Sequence, residues 1–388
     1  MLFYGASKGE AVVFMEFRDL KKQYQVLKED MDKAILETVA SGAYIMGPQV
    51  KELESQLAEY VGVKHCLTCA NGTDALTLAL KAWVIGPGDA VFVPDFTFFS
   101  SAEVVPLEGA EPVFVDVCED TFNIDASDLE RAVLEVLADG RLKPRVVVAV
   151  DLFGLPADYQ AIRAVADRYG LLVLEDGAQG FGGTIDGKRA CSFGDIATTS
   201  FFPAKPLGCY GDGGAVFTNN DEWAALISSY RVHGKGTFKY DNVRIGLNSR
   251  LDTVQAAVLQ VKLKAFADYE LDAVNKAATW YDERLQWFAT PVIPSGFRSS
   301  WAQYTVKFDS REQRDAVQAA LKAEGIPAMV YYPKPMHLQT AFAQIPGLTR
   351  NLCPVATSLC DRVLSLPMHP YITPAEVDSV CTVIRKAL

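Results

Sequence analysis

The chain has little positive charge for its size and no long apolar run. It carries 37 Lys and Arg residues against 48 Asp and Glu residues, which leaves a net charge of −11. Because nucleic acid is bound through basic patches, this balance argues against a nucleic-acid partner. A membrane-spanning helix needs roughly 20 consecutive apolar residues. The sequence contains no such run, so we expect no membrane partner either.

Histidine is scarce, and the cysteines show no spacing that suggests a disulfide framework. The 388 residues include four histidines and eight cysteines, and only Cys66-x-x-Cys69 has the spacing of half a zinc site. A structural zinc site would need a second pair of ligands at similar spacing. We therefore expect no metal, small buried cysteines in the reduced state, and a cytoplasmic location.

Two further motifs are missing. No G-x-G-x-x-G follows an early strand, which argues against a Rossmann-type oxidoreductase. The first 14 residues lack the basic start and the sustained apolar stretch of a signal peptide. We interpret residues 1–14 as an N-terminal extension, with Met15 as an alternative start site.

Strand-like and helix-like segments alternate over the first half of the chain. Short apolar runs predict strands, and apolar residues at helical spacing predict helices. This alternation predicts an α/β fold with a doubly wound, mostly parallel sheet. The predicted strands are 66–70, 90–94, 112–117, 146–150, 171–174, 196–201 and 215–218. The predicted helices are 19–39, 52–60, 74–82, 126–137, 159–169 and 251–269, the last continuing to 284.

A smaller second region follows residues 290–300, whose proline, glycine and serine content indicates a boundary. The chain accordingly divides into a large domain, residues 15–270, and a small α+β domain, residues 271–388. Within the small domain we predict strands at 303–308 and 328–332 and helices at 311–324 and 374–386.

One lysine lies in a stiff, apolar turn. Lys205 stands between Pro203 and Pro206, after a predicted strand and before a run of glycines. Lysine normally lies in solvent, and desolvation of its amine disfavours the charged form and makes the amine nucleophilic. Lys205 is thus a candidate to form a Schiff base with a carbonyl compound. A solvated lysine in a surface turn is the alternative.

A carboxylate stands at the end of another predicted strand. The strand that ends at Leu174 leads into Glu175-Asp176-Gly177-Ala178-Gln179. Side chains at the carboxyl end of a parallel strand face the crevice in which α/β sheets bind ligands. A lysine-bound pyridoxal phosphate (PLP) needs an acidic partner for its ring nitrogen. Asp176 is the candidate for that partner, and a cap of the following turn is its alternative role.

Four motifs occur in order along the chain: EDGAQ, SFFPAK, GCYGDGGAVFTN and GLNSRLDTVQAA. With them the chain resembles the DegT/StrS family of sugar-nucleotide aminotransferases, from about Phe17 to Pro370. The resemblance implies a fold-type-I PLP enzyme, with a large PLP-binding domain and a smaller C-terminal domain. It also implies a homodimer with shared active sites.

The resemblance assigns the ring of the cofactor to particular side chains. Lys205 would hold PLP covalently, and Asp176 would hold the ring nitrogen. Phe98 would stack on the ring, which leaves Phe96 and Phe99 to the core. Gln179 would lie near the ring hydroxyl.

The cofactor phosphate has its own candidates. Asn71-Gly72-Thr73-Asp74 opens a predicted helix, whose free N–H groups suit an anion. A plain helix N-cap is the alternative. The resemblance implies phosphate binding by Gly72, Thr73 and Ser200, and by Asn248 from the other subunit.

The resemblance implies transfer of an amino group from L-glutamate to a nucleotide-linked keto-sugar. Lysine at position 205 indicates transamination, since relatives that dehydrate the sugar carry histidine there. Residues 42–47 would help cover the sugar. For His337, whose predicted role is a sugar contact, the alternative is a solvated histidine in a loop. The positions that match the family's sugar contacts are Arg250, Tyr304, Tyr332 and His337.

The phrases SRLDTVQAA, AQYTV and SLPMHPY most resemble the branch of the family that aminates a UDP-linked, N-acetylated 3-keto uronic acid. This resemblance implies UDP-2-acetamido-2-deoxy-3-keto-glucuronate as the substrate. Arg250 would then bind the sugar carboxylate. A 3- or 4-keto-6-deoxy nucleotide sugar is the alternative substrate. A non-catalytic PLP-binding regulator on the same fold is the alternative function, and the presence of Lys205 and Asp176 argues against it.

Overall fold

This computed structural model describes residues 15–238, 240–345 and 353–388. The proposed N-terminal extension, residues 1–14, lies outside the described residues. The strands are β1 (His65–Cys69), β2 (Asp89–Pro94), β3 (Glu111–Val115), β4 (Lys143–Val150), β5 (Leu172–Asp176), β6 (Thr184–Ile185), β7 (Lys188–Arg189), β8 (Ile196–Ser200), β9 (Gly214–Thr218), β10 (Phe297–Arg298), β11 (Tyr304–Lys307) and β12 (Val363–Leu366).

Helices surround these strands. They are α1 (Leu20–Ser41), α2 (Pro48–Val61), α3 (Gly72–Ala82), α4 (Ser100–Leu107), α5 (Ala126–Asp139), α6 (Tyr159–Tyr169), α7 (Asp221–Tyr230), α8 (Thr253–Ala265), α9 (Leu271–Arg284), α10 (Arg311–Ala323), α11 (Pro354–Arg362) and α12 (Pro374–Ala387). In the described part of the chain, no helix combines the length and the apolar character that crossing a membrane requires.

The central sheet has the strand order β1-β9-β8-β5-β4-β2-β3. The strands from β8 to β3 pair in parallel, and β9 is antiparallel to both of its neighbours. β1 therefore runs parallel to β8, so every strand except β9 has its carboxyl end at the same edge. The predicted mostly parallel α/β sheet is confirmed. Ligands of such sheets bind at that edge.

The apolar strands are buried on both faces. In β4, Val146 and Val148 belong to one apolar cluster, with α3, α4 and α7. Val147 and Ala149, which alternate with them, belong to a second cluster, with α5 and α6. Period-two alternation sends successive side chains to opposite faces. Burying each valine stabilises the fold by about 1.5–3 kcal/mol, which explains why the strand is apolar throughout.

The long helix near the C-terminal half continues as predicted. α8 passes through a single π-helical turn, Phe266–Glu270, directly into α9. The continuous helix formed by α8 and α9 crosses residue 270, where we divide the two domains. The division itself stays a prediction. The part of the chain after α9 contains α10, α12 and a two-stranded sheet of β11 and β12.

The strand predicted at 328–332 was wrong. Only Met329 forms a bridge there, to Ser365, while β11 pairs with β12 instead. Pro327 and Pro333 flank the segment, and proline cannot donate to a sheet. β12 was missed because its partner lies about sixty residues earlier in the chain, beyond the reach of local patterns.

Candidate active site

The Lys205 turn is held by backbone hydrogen bonds from both sides. The N–H of Lys205 donates to the carbonyl of Phe202 at 2.8 Å, and the N–H of Cys209 donates to the carbonyl of Phe201 at 2.7 Å. Gly208 permits this close return, since a Cβ there would lie 2.5 Å from the carbonyl oxygen of Pro203. The turn therefore presents Lys205 directly after β8, at the ligand-binding edge of the sheet.

Lys205 is half-buried, and its surroundings disfavour the ammonium form. Burial lowers the pKa of Lys205, the carboxylate of Asp176 opposes this, and the charge of Arg18 lowers the pKa further. Arg18 also donates to the carbonyl of Pro206 at 3.2 Å, so it supports the turn as well. An amine in these surroundings can act as a nucleophile or as a proton acceptor.

Asp176 ends β5 and is 5% exposed. Its Oδ2 accepts a hydrogen bond from Ser101 at 2.7 Å, and its Oδ1 accepts one from the N–H of Ala178 at 3.2 Å. Burial raises the pKa of Asp176, while Ser101, Ala178 and the charge of Lys205 oppose the rise. A cation beside this carboxyl would therefore be strongly favoured, because it would compensate the buried charge.

The N-terminus of α3 lies beside the end of β8. Asn71 caps the helix by accepting from the N–H of Asp74 at 2.8 Å, so the N-cap role considered for this turn is real. Thr73 Oγ1 lies 2.8 Å from Ser100 Oγ. A Cβ on Gly72 would lie 2.7 Å from Cβ of Ser200, so only glycine fits the backbone here. The predicted phosphate ligands of this chain are thus adjacent.

Gln179 and Tyr332 form an oriented pair. The N–H of Phe153 donates to Oε1 of Gln179 at 2.6 Å, which fixes the amide, because an N–H must face an oxygen. Nε2 of Gln179 then donates to the hydroxyl of Tyr332 at 2.9 Å. Burial raises the pKa of Tyr332, so the hydroxyl keeps its own proton and has it free to donate elsewhere.

Phe98 is the exposed member of the three phenylalanines. It is 53% exposed, and its ring centroid lies 6.2 Å from that of Tyr332. Phe96 is 1% exposed and packs with Phe122 and Phe153, as expected for the core. Phe99 is partly buried and packs against the same apolar cluster, with its ring centroid 5.2 Å from that of Phe342.

These groups line one cavity of about 780 Å³. It lies at the carboxyl edge of the sheet, with Lys205 and Asp176 on its wall. The predicted site residues that it brings together are Gly72, Thr73, Phe98, Asp176, Gln179, Ser200, Lys205 and Tyr332. Amine, carboxyl and helix N-terminus together fit PLP, which presents an aldehyde, a ring nitrogen and a phosphate.

Two predicted sugar contacts do not reach this cavity. Tyr304 is fully buried in the C-terminal part, where it stacks on Tyr281 and its hydroxyl donates to Asp282. Its place in β11 turns the ring into that core, which motif matching alone could not reveal. His337 is also buried, against Asp95, and so is neither a cavity residue nor the solvated loop histidine we considered.

Asn248 and Arg250 lie outside the cavity of their own chain. Asn248 is exposed and bridges to Val232, and Arg250 is half-buried. Neither lines the described cavity. Their assignment to a site shared between subunits stays a prediction.

Sequence reasoning missed two residues that act on the site. Ser101 donates to Asp176, and its only local signal was its place directly after PDFTFFS. Arg18 reaches the Lys205 turn from 187 residues earlier in the chain, and no local pattern announces it. Both contacts depend on long-range packing.

Gly177, in the turn that follows Asp176, lies too close to its neighbours for a side chain. A Cβ on Gly177 would lie 2.6 Å from Sγ of Cys191 and 3.2 Å from the carbonyl oxygen of Thr198. Cys191 is itself buried, at 1% exposure. The glycine therefore makes room for this cysteine beneath the turn that follows Asp176.

Comparison with known sequences identifies relatives over nearly the whole chain. Residues 25–385 match the DegT/DnrJ/EryC1/StrS aminotransferase family. UDP-2-acetamido-2-deoxy-3-oxo-D-glucuronate aminotransferase of Pseudomonas aeruginosa is 45% identical over 372 residues, 95% of this chain and 99% of the relative. UDP-N-acetyl-3-dehydro-alpha-D-glucosamine 3-aminotransferase of Acidithiobacillus ferrooxidans is 40% identical, over 95% of this chain and 97% of the relative.

Solved structures agree with this relationship. A DegT/DnrJ/EryC1/StrS aminotransferase from Brucella abortus superimposes with a TM-score of 0.92 at 50% identity, covering 96% of this chain and 99% of the other. The PLP form of a sugar aminotransferase from Streptococcus pneumoniae superimposes at 0.84 and 27% identity, covering 93% and 97%. The expected fold and cofactor are thereby confirmed. The chain belongs to the DegT/DnrJ/EryC1/StrS aminotransferase family, and it is a PLP-dependent sugar aminotransferase.

Proposed function

We propose that the chain transfers an amino group from L-glutamate to the 3-keto group of UDP-2-acetamido-2-deoxy-3-keto-glucuronate. The main support is the pairing of Lys205, an amine of lowered pKa, with the buried carboxyl of Asp176 on one cavity wall. The relatives at 45% and 40% identity carry the names of aminotransferases for UDP-linked 3-oxo sugars, which supports the nucleotide and the carbon.

Seven side chains and one glycine would hold the cofactor. Lys205 would bind its aldehyde carbon, and Asp176 its ring nitrogen. Phe98 would cover one ring face, and Gln179 would donate its second amide hydrogen to the ring hydroxyl. The phosphate would bind Gly72, Thr73, Ser200 and, from the second subunit, Asn248. Oriented N–H and O–H donors at a helix N-terminus suit such an anion.

The chain's own groups would carry the proton. Bound PLP supplies an electron sink, which makes the hydrogen on the donor's α-carbon acidic. Lys205, once free, would take that proton, and later return one to the sugar carbon that receives nitrogen. The lowered pKa of Lys205 favours the uncharged amine that this role requires. Asp176 would keep the ring nitrogen protonated.

The substrate's negative charge supports a homodimer. Among the described residues that line the cavity, Lys205 is the only cation, yet the substrate carries a diphosphate and a carboxylate. A guanidinium group can donate two parallel hydrogen bonds to the oxygens of one phosphate or carboxylate. Arg250 from the second subunit would supply one, beside Asn248. The exposed apolar side chains Tyr44, Ile45 and Met46 in the 42–47 loop would be buried by the same contact.

Free cysteines support a cytoplasmic location for this enzyme. All eight cysteines are unpaired, including the neighbouring Cys66 and Cys69. Disulfides are rare in reducing compartments, so unpaired cysteines are the expected state there.

A spectrum and a substrate panel test the proposal. Purified protein given PLP should develop a visible absorbance band that the Lys205→Ala variant lacks, and L-glutamate should remove the band. The glutamate-treated enzyme should then aminate the UDP-linked 3-keto uronate faster than 3- or 4-keto-6-deoxy sugars. Protein that stays colourless with PLP, or preference for a 6-deoxy sugar, would contradict the proposal.

A further inference from the structure

Asp95 and His337 hold two distant parts of the chain together. Asp95 follows β2, and its Oδ1 accepts from the N–H of His337 at 2.7 Å. Its Oδ2 lies 2.5 Å from Nδ1 of the same histidine, and its backbone carbonyl accepts from the N–H of Met336 at 2.9 Å. Three contacts therefore join one residue at the edge of the sheet to two residues 241 and 242 positions later.

This contact is almost completely removed from solvent. The side chain of Asp95 is 0% exposed, and that of His337 is 3% exposed. Burying a carboxylate is costly unless hydrogen-bond donors surround it. Here both carboxylate oxygens of Asp95 face a nitrogen atom of His337, which offsets that cost. Removing the imidazole would leave Oδ2 of Asp95 without its partner, and removing the carboxylate would leave both Nδ1 and the N–H of His337 without theirs.

The contact lies close, along the chain, to two residues that line the cavity. Three residues after Asp95 comes Phe98, and five residues before His337 comes Tyr332, both of which line the cavity. Tyr332 also packs against Phe96 at 6.1 Å. The segment that carries Tyr332 is irregular from residue 330 to 335, so no helix or strand fixes its position.

We propose that Asp95 and His337 form a latch that positions Tyr332 as a hydrogen-bond donor to the sugar substrate. The proposal rests on the proposed function. Gln179 sets the direction of the Tyr332 hydroxyl, and the latch sets its place. Asp95 and His337 are thus positioning residues, which act on the sugar half of the reaction through Tyr332.

A metal site is the competing role for these residues. Donor atoms of Asp95, His337 and Cys353 lie within 4.8 Å of one another. Both carboxylate oxygens of Asp95, however, already face nitrogen atoms of His337. Burial and the nearby Asp95 and Asp116 raise the pKa of the Cys353 thiol, which disfavours the thiolate that a metal would need. The geometry therefore favours the latch.

A double-mutant cycle in the holoenzyme tests the latch. In His337→Leu, KM for the keto-sugar should rise roughly tenfold, the cost of about one hydrogen bond, as in Tyr332→Phe. The glutamate half-reaction, followed by cofactor absorbance, should stay within about twofold of wild type. In the Tyr332→Phe background, His337→Leu should add almost nothing. His337→Asn, whose amide nitrogen can replace Nδ1, should restore KM.

Asp116→Asn is the matched control. Asp116 follows the neighbouring strand β3 and accepts from the N–H groups of Val355 and Ala356, so it too anchors the C-terminal part. It should lower thermal stability without changing KM for the sugar. If His337→Leu raises KM for the keto-sugar by the same factor in wild type and in the Tyr332→Phe background, the latch is overturned. One equivalent of tightly bound zinc in the purified enzyme, lost in Cys353→Ser, would also overturn it.

Amide hydrogen exchange separates the latch from the proposed function. If wild-type enzyme aminates none of the keto-sugars, the proposed function fails, and exchange still tests the latch. The N–H groups of Met336 and His337 should exchange slowly in wild type and in Asp116→Asn, but fast in Asp95→Ala. Unchanged protection in Asp95→Ala would overturn the latch whatever the substrate.

Discussion

At the scale of single residues, the site combines two groups whose pKa values are shifted towards each other. Burial lowers the pKa of Lys205 and raises that of Asp176, because each buried charge loses its hydration. The attraction between the two charges opposes both shifts. A cationic ring nitrogen beside Asp176 would keep this carboxyl charged while Lys205 is used in catalysis. Pairs of shifted groups in a cleft are typical of catalytic sites.

Asp176→Asn tests the carboxylate. The amide retains the size of the side chain and accepts from Ser101, but it cannot balance a protonated ring nitrogen. We expect the half-reaction with L-glutamate to slow by roughly 10²- to 10³-fold, the effect of an unpaired buried charge. Stopped-flow absorbance measures this rate. Retained PLP with a normal rate would remove the role of Asp176.

Arg18→Gln tests the electrostatics of Lys205. Loss of the positive charge stabilises the ammonium, so the pKa of Lys205 should rise. The half-reaction rate, which needs the uncharged amine, should then reach its half-maximum at a higher pH. Arg18→Lys keeps the charge and should leave the pH profile in place. A shift of the profile in Arg18→Lys as large as that in Arg18→Gln would indicate a structural effect.

At the scale of elements, the start of α3 and the end of β8 lie too close for any side chain at position 72. The glycine lets the helix N-terminus approach Ser200, and it brings free N–H groups to the wall of the cavity. β1 delivers Gly72 to this edge because it runs parallel to β8, with the antiparallel β9 between them. The approach of this helix N-terminus to the cavity is therefore a consequence of how the strands are arranged.

Gly72→Ala should weaken PLP binding. The added Cβ would push Ser200 away and displace the N–H groups that face the phosphate, so we expect about a tenfold or greater rise in the Kd for PLP. Fluorescence titration of apoenzyme with PLP measures it. Gly86→Ala is the control, since a Cβ there meets nothing closer than 3.8 Å. Equal Kd values for the two variants would contradict the role of Gly72.

At the scale of the whole molecule, the cavity of one chain lies apart from Asn248 and Arg250 of the same chain. These two residues could instead complete the cavity of a second copy. Asn248 and Arg250 follow an exposed loop in which Val243 is 55% and Ile245 is 91% exposed. Glu54 and Thr68 anchor the base of this loop through Arg231, which is 4% exposed. A loop with an anchored base and exposed apolar side chains suits contact with a second copy.

Mixing two inactive variants tests the shared site. Lys205→Ala and Asn248→Ala should each be nearly inactive alone. In mixed dimers, one of the two sites receives intact Lys205 and intact Asn248, so activity should return when the two are refolded or coexpressed together. Mixing each variant only with itself is the control. Failure of any activity to return in verified mixed dimers would contradict the sharing of residues.

The sequence by itself determined most of the elements and much of the site. Apolar periodicity is a local property, and it was enough to predict the parallel strands and most of the helices that alternate with them. The proposed cofactor residues Gly72, Asp176 and Lys205 lie at or shortly after the ends of strands, so predicting the strands also placed these residues at one edge.

Only the tertiary structure decided which distant residues meet. β12, Arg18, Ser101 and the Asp95–His337 contact all depend on neighbours far along the chain. Tyr304 and His337 matched a motif yet turned into the interior, because the side of a segment that faces the cavity is set by packing. Local patterns carry periodicity and turn chemistry, whereas long-range contacts are chosen by the burial and hydrogen bonding of the folded chain as a whole.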